Sequence, residues 1–278
     1  MRPLRALLRL GIACIALAAG DAGAARTYTL AIVPQYTAVD IGMRWAPVIE
    51  RIRAETGIEL QLHTTPSIPA FEAEMLKGIP DFAFMNPYHM VMAAKAQGYR
   101  PLVRSTQALS GILVVARNGP AKRLEDLNGA TLAMPAPNAF GASLYMRALL
   151  SEKERLRYRT AYVGTHQNVY RHVLLGEALA GGGVEATLEK EPAAVREQLA
   201  ILYRTPGTAS HPLAAHPRIP AGDVEQVVAA LRSMTHDAAG RALLARVELD
   251  DAAPADYARD YAPLLELRLD RYVARKGR

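Results

Sequence analysis

Cysteine is almost absent: the 278 residues contain one, Cys14. It lies in "MRPLRALLRLGIACIALAAGDAGA", where Arg2, Arg5 and Arg9 precede an apolar run and then small residues. That is the layout of a secretory signal peptide. Ala22-Gly23-Ala24 fits the small-x-small cleavage rule, so residues 1–24 are expected to be removed and the mature chain to start at Ala25. A mature chain without cysteine has no disulfide, thiol nucleophile or thiolate metal ligand. Gly11 stands where a lipoprotein signal usually carries Leu, which favours an ordinary signal over lipidation. Aromatic residues are scarce at 6%, which argues against a sugar cleft lined by stacked rings. No second apolar run reaches the roughly 18 residues a membrane span needs. The formal charge is +6 and falls to +4 without the three Arg and one Asp of residues 1–24. No basic block exists, so no nucleic-acid partner is expected, while mild positive charge is compatible with an anionic ligand.

Catalytic signatures are missing too. There is no G-x-S-x-G elbow and no H-E-x-x-H, and His63, His89, His166, His172, His211, His216 and His236 are dispersed. Gly181-Gly182-Gly183 lacks the Lys and Ser/Thr of a phosphate loop and reads as a turn entering a strand. The chain is expected to be neither an enzyme nor a holder of metal or cofactor.

What the chain does have is strand–helix alternation. "YTLAIV" (28–33), "IELQLHT" (58–64), "DFAFM" (81–85), "ILVVAR" (112–117), "ATLAM" (130–134), "RTAYVG" (159–164) and "AILYRT" (200–205) read as strands. Between them lie apolar residues at helical spacing, such as Ile41, Trp45, Val48, Ile49 and Ile52 before Gly57. From Pro220 the tail is mostly helical, with Pro263 expected to open a last helix through Tyr272. This alternation predicts an α/β fold with mainly parallel sheets. Without a flexible linker, domain crossings are expected near Ser105–Gly111 and Thr205–His211. They divide the chain into one lobe of residues 25–106 and 208–278 and another of 107–207.

In open parallel sheets, ligands bind beyond the carboxyl ends of the strands. Four corners qualify: Pro34-Gln35-Tyr36, Asn86-Pro87-Tyr88, Pro137-Asn138-Ala139-Phe140-Gly141 and Gly164-Thr165-His166. Asn86, Asn138 and Thr165 are each expected to cap a helix there, where unpaired N–H groups suit an oxyanion. Any helix needs a cap, so one corner alone says little. Together, with Tyr36, Tyr88 and His166 adding polar groups, they suggest a pocket.

The segments "LAIVPQ", "GIPDFAFMNPYHM", "GILVVAR", "LEDLNGATLAMPAPNAFGASLYMRALL", "YVGTHQNVYRHVLLGEALAGGGVEATL" and "LYRTPGTASHPLAAHPRIP" carry a resemblance over nearly the whole mature chain. In order and spacing they resemble the PhnD-like periplasmic substrate-binding proteins of phosphate, phosphite and phosphonate ABC transporters. The resemblance implies a two-lobed type-two periplasmic binding-protein fold with the ligand between the lobes. It implies a monomer, without cofactor, that traps a small anion for an inner-membrane permease. A periplasmic sensor feeding a histidine kinase is the alternative. By the same resemblance Tyr36 and the Asn86–Tyr88 corner face the cleft from one lobe, and Gln35, at the same corner as Tyr36, is a ligand-binding candidate with them. Asn138, Ala139, Phe140, Gly141, Thr165 and His166 face it from the other. Phosphonate-binding members typically carry a Ser-Thr-Ser-Gly-like run where this chain has Asn138-Ala139-Phe140-Gly141, so its hydroxyl donors are replaced and Phe140 adds apolar bulk.

Overall fold

The structure, a computed structural model, describes residues 26–273. The signal-peptide reading, residues 1–24 with Cys14, falls outside them. Among the described residues no helix is long and apolar enough to cross a membrane.

Two sheets form the frame. The first holds β1 (Thr27–Ile32), β2 (Glu59–His63), β3 (Phe82–Phe84), β4 (Arg100–Arg104), β10 (Pro212–Ala215) and β11 (Ala253–Pro254), in the order β11-β4-β10-β3-β1-β2. The second holds β5 (Gly111–Ala116), β6 (Thr131–Met134), β7 (Arg159–Tyr162), β8 (Ala180–Val184) and β9 (Leu199–Arg204), in the order β7-β6-β8-β5-β9. Four of six strands run one way in the first sheet, and four of five in the second. In each sheet the strand that follows a crossing is reversed: β5 after the passage out, β10 after the return. A strand entering directly from the other lobe needs no helical crossover, so it can pair antiparallel with its neighbours. The two crossing segments are themselves tied together. Leu109 and Thr208 exchange backbone bonds of 2.9 and 3.0 Å, and Ser210 Oγ donates to Ser105 O at 2.6 Å.

Strand alternation places two cores on each sheet, as expected for strands covered on both faces. Leu30, Ile32, Phe82 and Phe84 pack under α1 (Ala38–Thr56), where Ile41, Trp45, Val48 and Ile52 are buried at helical spacing. Thr37 caps α1 by accepting from Asp40 N at 3.2 Å, and Gly57 closes it at φ 69°. Ala31, Val33, Ala83 and Met85 face the other way, toward α2 (Ile68–Leu76) and α3 (Pro87–Gln97). That second cluster continues into the other lobe through Phe140, Ala142, Leu144, Tyr145 and Val184, so the lobes share a continuous apolar core. In the second sheet Leu113, Val115, Leu132 and Met134 pack on α4 (Tyr145–Glu152), while Ile112, Val114 and Ala133 pack on α5 (His166–Leu174).

Two secondary-structure elements depart from the sequence reading. The glycine triplet is no turn: Gly181, Gly182 and Gly183 are the buried middle of β8, paired with β5. Periodicity gives no strand signal for residues without side chains, but the packing above them demands that lack. Among the described residues, the tail after Tyr261 forms no α-helix. Short 3-10 turns at Ala262–Leu265 and Leu269–Arg271 replace it, separated by Arg268 in the left-handed region at φ 49°. Tyr261, Leu264 and Leu269 are nevertheless buried, as their spacing suggests.

Candidate functional site

The carboxyl ends of β1, β3, β6 and β7 converge between the two sheets. The chain leaves β1 through Gln35 and β3 through Asn86, and the turn after β6 supplies residues 139–142. His166 begins α5 just after β7, and Val184 ends β8. These residues, with Val33, Ile68 and His211, wall one interlobe cavity of about 10 Å³. That is room for about one water, so the lobes are closed on each other.

Asn86 is both cap and bridge. Its Oδ1 accepts from His89 N at 2.8 Å, capping α3, and its Nδ2 donates to Asn138 O of the other lobe at 3.3 Å. Thr165 caps α5 by accepting from Asn168 N at 3.2 Å but does not border the cavity. The expected cap at Asn138 is not formed. Its Nδ2 donates instead to Glu72 Oε2 at 2.8 Å, across the cleft. The turn after it spans Phe140–Leu144 as a π-helical turn, with Ser143 N and Leu144 N both bonded to Ala139 O. The Pro-rich approach carries no residue positioned to cap it; Arg147 holds it from outside, donating to Pro137 O at 2.7 Å. The first N–H groups of such a turn have no carbonyl behind them. Those groups belong to Phe140, Gly141 and Ala142, which line the cavity. Glycine is required at this contact: a Cβ on Gly111 would lie 2.1 Å from Gly141 O.

The cavity's polar side chains are Gln35, Asn86, His166 and His211. Gln35 Nε2 lies 3.2 Å from His211 Nε2, and the His211 ring stacks on Phe84 at 5.6 Å. His166 Nδ1 lies 3.3 Å from Thr187 Oγ1, which also lies 2.7 Å from the Tyr170 hydroxyl. Burial pushes His166 and His211 down to about 4, and His89, behind Asn86, down to about 3. All three are neutral at pH 7 while the unfolded chain titrates near 6.5. Their folded values are depressed, so the unfolded state binds more protons below about pH 6.5, and stability falls as pH drops. Thermal melts of the ligand-free protein between about pH 7 and 5 are expected to show a steady loss, on the order of 1 kcal/mol per histidine. A melting temperature unchanged over that range would contradict neutral burial.

Tyr36 sits in a neighbouring recess. Its hydroxyl donates to Glu248 Oε1 at 2.7 Å, and Lys190 Nζ of the other lobe reaches Glu248 Oε1 at 3.0 Å. Arg44 lies over the Tyr36 ring at 4.2 Å. Burial alone would raise the Glu248 carboxyl; Lys190, His211 and the Tyr36 hydroxyl outweigh it and hold it low. Tyr88 and Asn138 border a different space, an open groove of about 730 Å³ between α2, α3 and the tail.

Six of the ten sequence candidates therefore meet at the cavity: Gln35, Asn86, Ala139, Phe140, Gly141 and His166. Tyr36, Tyr88, Asn138 and Thr165 stand beside it. His211 and Glu248 were not singled out. His211 lies in a Pro-rich segment with no strand-to-helix corner, and it reaches the site because β10 starts there, reversed. Glu248 sits at φ 61° after α9 (Ala238–Arg246), where no sequence pattern marks it.

Solved structures share this architecture. A binding-protein component of an ABC phosphonate transporter from Pseudomonas aeruginosa aligns at TM-score 0.77 and 13% identity, covering 89% of this chain and 87% of that one. PhnD1 of Prochlorococcus marinus, solved with methylphosphonate, aligns at 0.77 and 13%, covering 88% and 97%. XAC2383 of Xanthomonas citri, solved with ATP, aligns at 0.71 and 16%, covering 89% and 99%. Similarities at this identity establish the fold, which is that of type-two periplasmic binding proteins. No curated protein sequence matches. The family model for phosphonate-binding periplasmic proteins matches residues 30–261, nearly the whole described chain. The chain belongs to the family of periplasmic substrate-binding proteins of phosphonate ABC transporters.

Proposed function

We propose that this protein captures a small oxyanion of the phosphonate or phosphate type in the periplasm and presents it to an inner-membrane permease. The observation that carries the reading is the convergence of the carboxyl ends of β1, β3, β6, β7 and β8 on one buried interlobe cavity, walled by the first residues of the 140–144 turn. Such N–H groups stabilise an anion without a formal charge of their own. The bonds that join the lobes, Asn86 to Asn138, Asn138 to Glu72 and Lys190 to Glu248, would hold the closed form around its ligand. Family membership supports the transport role, and no observation favours the sensory one. Nor does the cleft offer a group poised for covalent catalysis.

Equilibrium titration with phosphate, phosphite, methylphosphonate and aminoethylphosphonate tests the ligand class. Saturable binding of at least one, with quenching or shift of the fluorescence of Trp45, is the expected result. Silence with all four, in a folded sample, removes the oxyanion assignment.

A further inference from the structure

The cavity offers an anion no fixed positive charge. Among the described residues that border it, none is Lys or Arg. Two cations of the neighbouring recess are committed elsewhere: Lys190 to Glu248, and Arg44 to the Tyr36 ring. Glu248 itself is a half-buried carboxylate beside the site, and its negative charge opposes an incoming anion. His211 borders the cavity within reach of the Glu248 charge, 5% exposed, with Gln35 at 3.2 Å and Phe84 against its ring.

We propose that His211 is the counter-charge of this site, and that the oxyanion enters together with one proton, which His211 takes up from solvent. The inference rests on the oxyanion reading above. The bound state then carries anion, imidazolium and Glu248 carboxylate in series, each charge next to its opposite. Gln35 suits both forms of the ring. Its amide nitrogen donates to the neutral imidazole, and after the amide turns over, its oxygen accepts from the imidazolium.

The titratable groups facing His211 agree with this. From the loop after α9, Glu248 favours the charged ring. From α5 and α3, burial holds His166 and His89 neutral; Glu248 favours charge on His166 as well, and a charged His211 ring disfavours it on both. Ligand-free, burial keeps His211 neutral near pH 7. An anion at about 4–6 Å reverses that balance. His166 also borders the cavity, but its Nδ1 belongs to a fixed network with Thr187, whose hydroxyl donates to Val184 O at 2.8 Å, whereas the His211 partner is the reversible amide of Gln35.

Hypophosphite is the probe, because it keeps a single charge over the working range and contributes no titration of its own. Calorimetric titration in two buffers of different ionisation enthalpy, at about pH 6, reports the protons exchanged on binding. Uptake approaching one proton is expected, with affinity rising up to about tenfold per pH unit between about pH 7 and 5. His211→Gln should abolish both the uptake and the slope, while His172→Gln, whose ring contacts Asn168 O and Glu177 and does not border the cavity, should retain them. Binding of hypophosphite without proton uptake overturns the proposal and leaves the oxyanion reading standing. Uptake that survives in His211→Gln also overturns it. Failure of hypophosphite, phosphate, phosphite and methylphosphonate alike to bind the native protein overturns the oxyanion reading, and the proposal with it.

Discussion

Gly182→Ala is expected to lose about 3 kcal/mol or more of folding stability, measured by urea denaturation. On propensity alone the sign would be opposite, since removing a glycine from a strand stabilises by roughly 0.5–1 kcal/mol. Packing decides. A Cβ at Gly182 would lie 1.9 Å from Ala142 O and 2.4 Å from Met134 Sδ. The first is backbone of the turn that walls the cavity and has no free direction to yield. Gly181 and Gly183 are closed off as well, by Val169 Cγ1 at 2.4 Å and the Tyr170 hydroxyl at 2.4 Å. The three glycines thus let the 140–144 turn and α5 lie directly on the sheet, which brings residues 139–142 to the cleft. The folded fraction of Gly182→Ala should therefore also bind ligand more weakly. Gly222→Ala is the control: nothing lies within 4 Å of a Cβ there, and it opens α8 (Ala221–Ser233). That substitution should be neutral or stabilising by about 0.5–1 kcal/mol. Equal, small effects at both positions would show that the turn can lift off β8.

This glycine triplet also marks where sequence reasoning stops. Periodic segments with large apolar residues announced themselves: α1 through Trp45 and its neighbours, and β5 through "ILVVAR". Caps with standard spacing did too, at Asn86 before Pro87 and at Thr165. These features are local, and each is decided within a few residues. The site is not local. Asn138 looked like a cap because its neighbours did, but its partner is Glu72, sixty-six positions away. His211 lies beside Gln35 because a crossing reverses β10, a consequence of topology that no short window contains. The corners could be found from sequence, since strand ends and helix starts are local. Which corners share a cavity was a matter of sheet order.

Phe140 is the position where sequence and structure together give the sharpest expectation about ligand choice. Its side chain is 3% exposed, stacks on Tyr145 at 5.6 Å and 16°, and borders the cavity beside His166 and Asn86. A ring there leaves the closed cleft with about 10 Å³. Any tetrahedral oxyanion needs more than this one-water space, so the lobes must part to admit it; an organic substituent adds to that demand against the Phe140 ring and weakens binding further. Phe140→Ala should cost about 3 kcal/mol of stability in the ligand-free protein, the lower end for a buried phenyl, because the ring already borders free space. It should raise affinity for methylphosphonate relative to hypophosphite by about tenfold, the usual worth of one accommodated carbon. Phe140→Ser opens the same space and adds a hydroxyl donor at the turn. A hydrogen bond to a charged partner contributes about 1.5–3 kcal/mol, so Ser should exceed Ala in affinity for both anions while keeping the Ala selectivity. Calorimetric titration of the three proteins with both ligands separates the two effects. A selectivity ratio unchanged in Phe140→Ala would place the substituent away from this wall, and equal affinities of the Ser and Ala variants would place the oxyanion away from the start of the turn.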